Sequence, residues 1–101
     1  MAGTRKKNTK KTVKPGKELL ESNIEDFKGK LSKALDQGIS ELSIDMKGVK
    51  NIDASGLGIL IAANNSLDQT GGQLNLTNVP ENIENIMQLL GLDKYLNVSA
   101  A

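Results

Sequence analysis

The residues best able to do chemistry in this chain sit in one decapeptide, Asn51 to Leu60, reading NIDASGLGIL. Asp53 offers a carboxylate and Ser55 the stretch's only hydroxyl, while Gly56 and Gly58 let a neighbouring backbone or a partner come close. Three kinds of chemistry suit these types at this spacing. Asp53 or Ser55 can cap a helix by accepting from its free N–H groups. Those N–H groups, at the positive end of a helix dipole, can also hold an anion or phosphate. Alternatively, a hydroxyl beside a carboxylate can be a place where charge is added and removed, since a phosphate brings about −1.5 to −2 charge at pH 7. The spacing alone leaves all three open.

Composition removes other chemistries. The chain of 101 residues contains no histidine and no cysteine. It therefore lacks the usual zinc ligands, the commonest general base and any Ser-His or Cys-His pair. Its carboxylates and lysines are scattered, and no GxxxxGK or GxGxxG phosphate loop is present. No enzyme, cofactor or metal site is expected. The longest apolar run, beginning at Ile59, falls far short of the roughly 20 residues of a membrane span. Basic residues near the N-terminus are not followed by an apolar signal segment, so a cytoplasmic domain without membrane insertion is expected.

Charge is unevenly spread. Residues 1–17 hold Arg5, Lys6, Lys7, Lys10, Lys11, Lys14 and Lys17 and no acid; the rest carries six basic residues against all twelve acidic ones, a net −6. Residues 1–11 read as a basic, disordered arm without apolar periodicity, ahead of a domain over 12–101. Such an arm suits nucleic acid or an acidic partner, or is simply a solvated terminus. Phe27 and Tyr95 are the only aromatics, too few for a base-stacking platform, so nucleic acid is not expected as the main ligand.

The elements that must position the decapeptide follow from periodicity. After an extended piece around Thr12–Lys14, Ser22 and Glu25 form a capping-box pattern ahead of a helix with Ile24, Phe27, Leu31 and Leu35 on one face, ending at Gly38. ELSIDM and QLNLT alternate strictly, the pattern of strands with one covered and one open face. Between them, Leu57, Leu60, Ile61, Asn64 and Asp68 mark the stripe of a second helix, widened by Ile59, Ala62, Ala63 and Leu67 and ended by Gly71-Gly72. A third helix opens at Pro80 with Glu81 and Glu84, buries Ile83, Ile86, Met87 and Leu90, and closes at Gly91. KYLNV supplies a last short strand or a brief helix. The alternation predicts an α/β domain, a mostly parallel sheet of about four strands with helices packed mainly on one face.

On this map the decapeptide joins a strand to the start of the second helix, and a family resemblance comes into view. Ile52, Asp53, Gly56, Leu57, Gly58, Gly71, Gly72, Gly91 and Leu92 follow, in order and spacing, the pattern of the STAS domain. The likeness spans roughly residues 12–98 and resembles the bacterial anti-anti-sigma factors. It implies a single STAS-type domain that works by switching partners rather than by catalysis. Such a protein binds an anti-sigma factor, often a GHKL-type serine kinase, and so frees a sigma factor. Phosphorylation of the hydroxyl residue directly after the aspartate breaks that complex, and a phosphatase restores it. Carried onto this chain, the partner-binding residues are Ile52, Asp53, Ala54, Ser55, Gly56, Leu57 and Gly58, on a surface reaching from Met46 to the exposed face of the second helix. The switch position itself is Ala54, which cannot take a phosphate, leaving Ser55 as the candidate phosphosite or a domain without this switch. Thr4, Thr9 and Thr12 are further hydroxyls in or beside the arm. The stretch TVKPGKELLES is shorter than the family's usual opening and lacks the aspartate after its first leucine. Other members of the family serve as small subunits of lipid-transport ABC machines, an alternative role for a domain without the phosphosite.

Overall fold

The computed structural model describes residues 9–101. Five short strands and three helices alternate up to a final strand: β1 (Lys10–Val13), β2 (Glu18–Leu19), α1 (Ile24–Asp36), β3 (Glu41–Asp45), β4 (Asn51–Ile52), α2 (Ala54–Gln69), β5 (Gln73–Val79), α3 (Glu81–Leu89), a 3-10 turn at Leu92–Lys94, and β6 (Asn97–Ala100). The main sheet has the order β1-β3-β5-β6 with parallel pairing throughout, Leu42 beside Leu74 and Ile44 beside Leu76 at its centre. KYLNV therefore contributes both a turn and an edge strand.

The strict alternation of ELSIDM and QLNLT has the expected result. Leu42, Ile44, Leu74 and Leu76 are buried under the helices, joined by Phe27, Leu60, Ile83 and Met87. Burying each such side chain stabilises the fold by about 1.5–3 kcal/mol. The other face is polar and laced by side chains: Asn75 Nδ2 donates to Glu41 at 2.8 Å, and Lys10 and Lys14 reach Glu41 and Asp45 at 3.7 Å. The helices end where glycines take a left-handed conformation, Gly38, Gly71 and Gly91, as read from the sequence.

Several expectations need correction. The strand β1 begins at Lys10, and the Thr9 carbonyl before it accepts from the Ser40 and Glu41 N–H groups, so Thr9, Lys10 and Lys11 belong to the folded body and not to the arm; the rest of the predicted arm, residues 1–8, lies outside the described residues. The Ser22–Glu25 capping box does not form. Asn23 precedes α1 without capping it, because its side chain closes the preceding turn, accepting from the Leu20 N–H at 2.9 Å and donating to the Glu18 carbonyl at 3.0 Å. Pro80 stands just before α3 in extended conformation, its carbonyl accepting from the N–H groups of Ile83 and Glu84. In α3 the buried face is Ile83 and Met87, while Leu90 is 59% exposed, since the chain has already turned away toward Gly91. The inward stripe of α2 is Gly56, Leu60, Ala63 and Leu67, rotated from the predicted one toward its smallest residue.

Candidate functional site

Strands β2 and β4 form a second, two-stranded parallel sheet, with Glu18 beside Asn51 and Leu19 beside Ile52. No periodicity announces strands of two residues each, and sequence reasoning missed them. They matter because they bring the β2–α1 loop against the start of α2. The Asp53 N–H donates to the Leu19 carbonyl at 3.2 Å, continuing the pairing one residue beyond β4.

Asp53 is the cap of α2, and it does more than cap. Its Oδ1 accepts from the Gly56 N–H at 3.1 Å and its Oδ2 from the Glu21 N–H at 3.0 Å. One carboxylate thus satisfies a free donor of the helix and fastens the β2–α1 loop to it. These bonds favour the ionised form, so the Glu21 N–H first, then the Gly56 N–H, hold the Asp53 carboxyl below its ordinary value. The choice left open between Asp53 and Ser55 is settled for Asp53. Ser55 lies inside the first turn of α2, half-buried, and is not the cap.

The two glycines separate by role. A Cβ on Gly56 would stand 2.3 Å from the Leu19 carbonyl oxygen and 2.8 Å from Ile52 Cγ1, so only glycine lets α2 lie this close to β2. Gly58 is exposed, and a Cβ there would meet nothing within 4 Å. Around the capped aspartate, Ala54 and Gly58 are exposed and Ile52, Ser55 and Leu57 are half-buried, whereas Gly56 is buried. The surface predicted from Met46 onward is narrower than expected. Met46 and Val49 are fully inside the core, because both close the turn between β3 and β4 over it, with the Val49 N–H on the Met46 carbonyl at 3.0 Å. Among the described residues, no group of His, Cys, Asp and Glu is placed to hold a metal ion.

The helix start with a capping aspartate and nearby glycines is read from the sequence; the two-residue strand, the burial of Gly56 and the seal to the β2–α1 loop come from the structure. The STAS domain model matches residues 4–101. The chain belongs to the STAS domain family. Within 71 residues this STAS domain is 31% identical to the anti-sigma-B factor antagonist of Bacillus subtilis (strain 168), a match covering 70% of the chain. It spans 64% of that relative's length. Its fold is similar to that of a candidate anti-sigma factor antagonist from Thermotoga maritima, with a TM-score of 0.82 at 25% identity over 89% of this chain and 78% of the other. The anti-sigma factor antagonist SpoIIAA superposes in its unphosphorylated form with a TM-score of 0.75, at 19% identity and over 91% of this chain and 81% of its own. The phosphorylated form of SpoIIAA from Bacillus gives 0.70, at 19% identity and over 91% and 84%. These last two likenesses speak for the fold alone. No helix among the described residues is long and apolar enough to cross a membrane.

Proposed function

We propose that this STAS domain is an anti-sigma factor antagonist, a non-enzymatic cytoplasmic regulator that binds an anti-sigma factor of the GHKL serine-kinase type. The observation that supports this most is the Asp53-sealed junction. Asp53 and Gly56 are occupied internally and shape the surface; Ile52, Ala54, Ser55, Leu57 and Gly58 are left around them to meet a partner. Antagonist names among the chain's relatives support the partner class.

Control of the contact falls to Ser55, because Ala54 offers no hydroxyl. A phosphate on Ser55 would stand two residues from the Asp53 carboxylate, inside the closing interface. Leaving such charge unpaired there costs several kcal/mol, enough to lower affinity by orders of magnitude. Ser55→Asp is expected to abolish partner binding and Ser55→Ala to keep it. Since Ser55 is not the cap, the alanine variant should lose less than about 0.5 kcal/mol of stability. Intact-mass measurement after incubation with the kinase and ATP tests the switch, the expected result being one added phosphate that Ser55→Ala removes. An unmodified chain beside a kinase that still phosphorylates another family member overturns regulation at Ser55. A pull-down from the host tests the partner: a bound GHKL-type kinase supports the proposal, and an ABC ATPase in its place moves the domain to the lipid-transport role that Ala54 also suits.

A further inference from the structure

The small sheet of β2 and β4 ends at the Asp53 latch and begins at a cluster of lysines. At its start the Lys50 N–H donates to the Lys17 carbonyl at 2.7 Å, which sets these two residues side by side, and the Lys50 carbonyl accepts from Asn82 Nδ2 at 3.1 Å. Lys47 stands in the turn just before, its N–H on Asp45 Oδ1 at 3.0 Å and the following Gly48 in left-handed conformation. Val49, between Lys47 and Lys50, is buried in the core. The backbone beneath the three lysines is thus fixed, while Lys17, Lys47 and Lys50 are themselves exposed. Acids nearby are engaged elsewhere: Asp45 pairs with Lys14 at 3.7 Å, and Glu18 accepts from Asn51 Nδ2 at 3.2 Å. None of Lys17, Lys47 and Lys50 makes an ion pair among the described residues. Residues 14–18 and 45–51 together hold four lysines against two acids, a net +2, whereas the rest of residues 9–101 holds six lysines against ten acids, a net −4.

This basic end adjoins the surface assigned to the partner. Only Asn51 and Ile52 separate Lys50 from Asp53, about 10 Å of extended strand. A protein interface of standard size covers about 800 Å² of each partner, wide enough to take in both ends of so short a sheet. We propose that Lys17, Lys47 and Lys50 form a cationic rim of the Asp53 surface and receive an acidic segment of the partner protein. This rests on the partner reading given above and adds to it the charge that the partner must carry. Duplex nucleic acid suits the patch poorly, because the net −4 around it repels a phosphate backbone longer than the patch itself. Charges at an interface rim stay close to water, so they act on the rate of association and its salt dependence more than on the lifetime of the complex.

The test is the binding kinetics of the full chain with the host's GHKL-type anti-sigma kinase, followed by surface plasmon resonance from low to high salt. Lys17→Gln/Lys47→Gln/Lys50→Gln should slow association by about tenfold or more at low salt, leave dissociation within about twofold, and flatten the fall of the association rate with salt. Lys33→Gln/Lys94→Gln removes two lysines that also lack ion pairs among the described residues but stand on α1 and in the 3-10 turn, and it should leave both rates unchanged. A native chain that binds and a triple variant that associates equally fast overturn the rim and leave the partner reading standing. Comparable slowing by Lys33→Gln/Lys94→Gln also overturns the rim, since net charge alone then explains the effect. A native chain that does not bind the kinase overturns the partner reading and the rim with it. If the triple substitution instead weakens binding to duplex DNA and leaves the kinase rates alone, the lysines serve nucleic acid and the proposal is overturned.

Discussion

At Asp53 a single side chain joins two segments that lie 32 residues apart in the chain. Since the folded state favours the ionised carboxylate, its contribution is fully present above the ordinary carboxyl pKa of about 3.9 and is lost as pH falls through the lowered folded value. Urea unfolding of the native chain and of Asp53→Asn should therefore differ at pH 7, and the difference should shrink as pH falls below the ordinary carboxyl value. A difference that holds constant over that range would mean that charge is not what Asp53 contributes. The two glycines of the same loop make a second prediction at this scale. Gly56→Ala forces a methyl group into the Leu19 backbone and should cost about 1–3 kcal/mol or more. Gly58→Ala, in open space on a helix, should stabilise by about 0.4–1 kcal/mol. Chemical denaturation of both variants is enough, and equal effects would refute the assigned geometry. If Gly58→Ala is stabilising yet weakens partner binding, glycine stands there for the interface.

Among the elements, β5 is the one under local strain. Its pairing with β6 shifts register between Leu76 and Val79, and Asn78, in that shift, has φ of +53°. Asparagine tolerates this left-handed conformation better than other residues with a Cβ, and here its Nδ2 also donates to Asp45 Oδ1 at 3.0 Å. That bond is the leading reason the Asp45 carboxyl is held below its ordinary value. Asn78→Ala should lose about 1–2 kcal/mol, and Asn78→Gly less, because glycine gives up the hydrogen bond and not the backbone conformation. Thermal melts that rank glycine below alanine would show that the left-handed backbone at this position is not what penalises alanine. Short elements escaped the sequence for a reason visible in β2 and β4: a pair of two-residue strands has no period, and it exists only because Leu19 and Ile52 meet across the fold. The capping box failed for a related reason. Ser22 and Glu25 had the right spacing, but Asn23 was drawn into the turn that delivers Glu21 to Asp53.

Over the whole molecule, burial separates residues that look alike in sequence. Ile83 and Met87 on α3 are fully buried, whereas Leu89 and Leu90, next along the chain, are 87% and 59% exposed. Ile83→Ala should cost about 2–5 kcal/mol. Leu89→Ala and Leu90→Ala should each stay within about 0.5 kcal/mol of the parent, and a large loss at either, read by urea unfolding, would mean that this end of α3 is covered in solution. Polarity is also distributed at this scale. The outer face of the sheet is laced with side-chain hydrogen bonds and ion pairs, and the Asp53 surface sits at the N-terminal end of α2.

The sequence by itself determined what depends on local period and chain punctuation. Alternating ELSIDM and QLNLT set two central strands and their buried leucines, glycines with left-handed backbones marked the helix ends, and the spacing around Asp53 placed the site at a helix start. These signals survive because each is carried by neighbours in the chain. Only the tertiary structure decided which face α2 buries, that Asp53 and not Ser55 is the cap, that Met46 and Val49 are withdrawn from the surface, and that Gly56 and Gly58 differ in kind. Each of those depends on a contact with a distant segment, Leu19 and Glu21 above all, and steric exclusion or a hydrogen bond between such segments leaves no period in the chain that makes it.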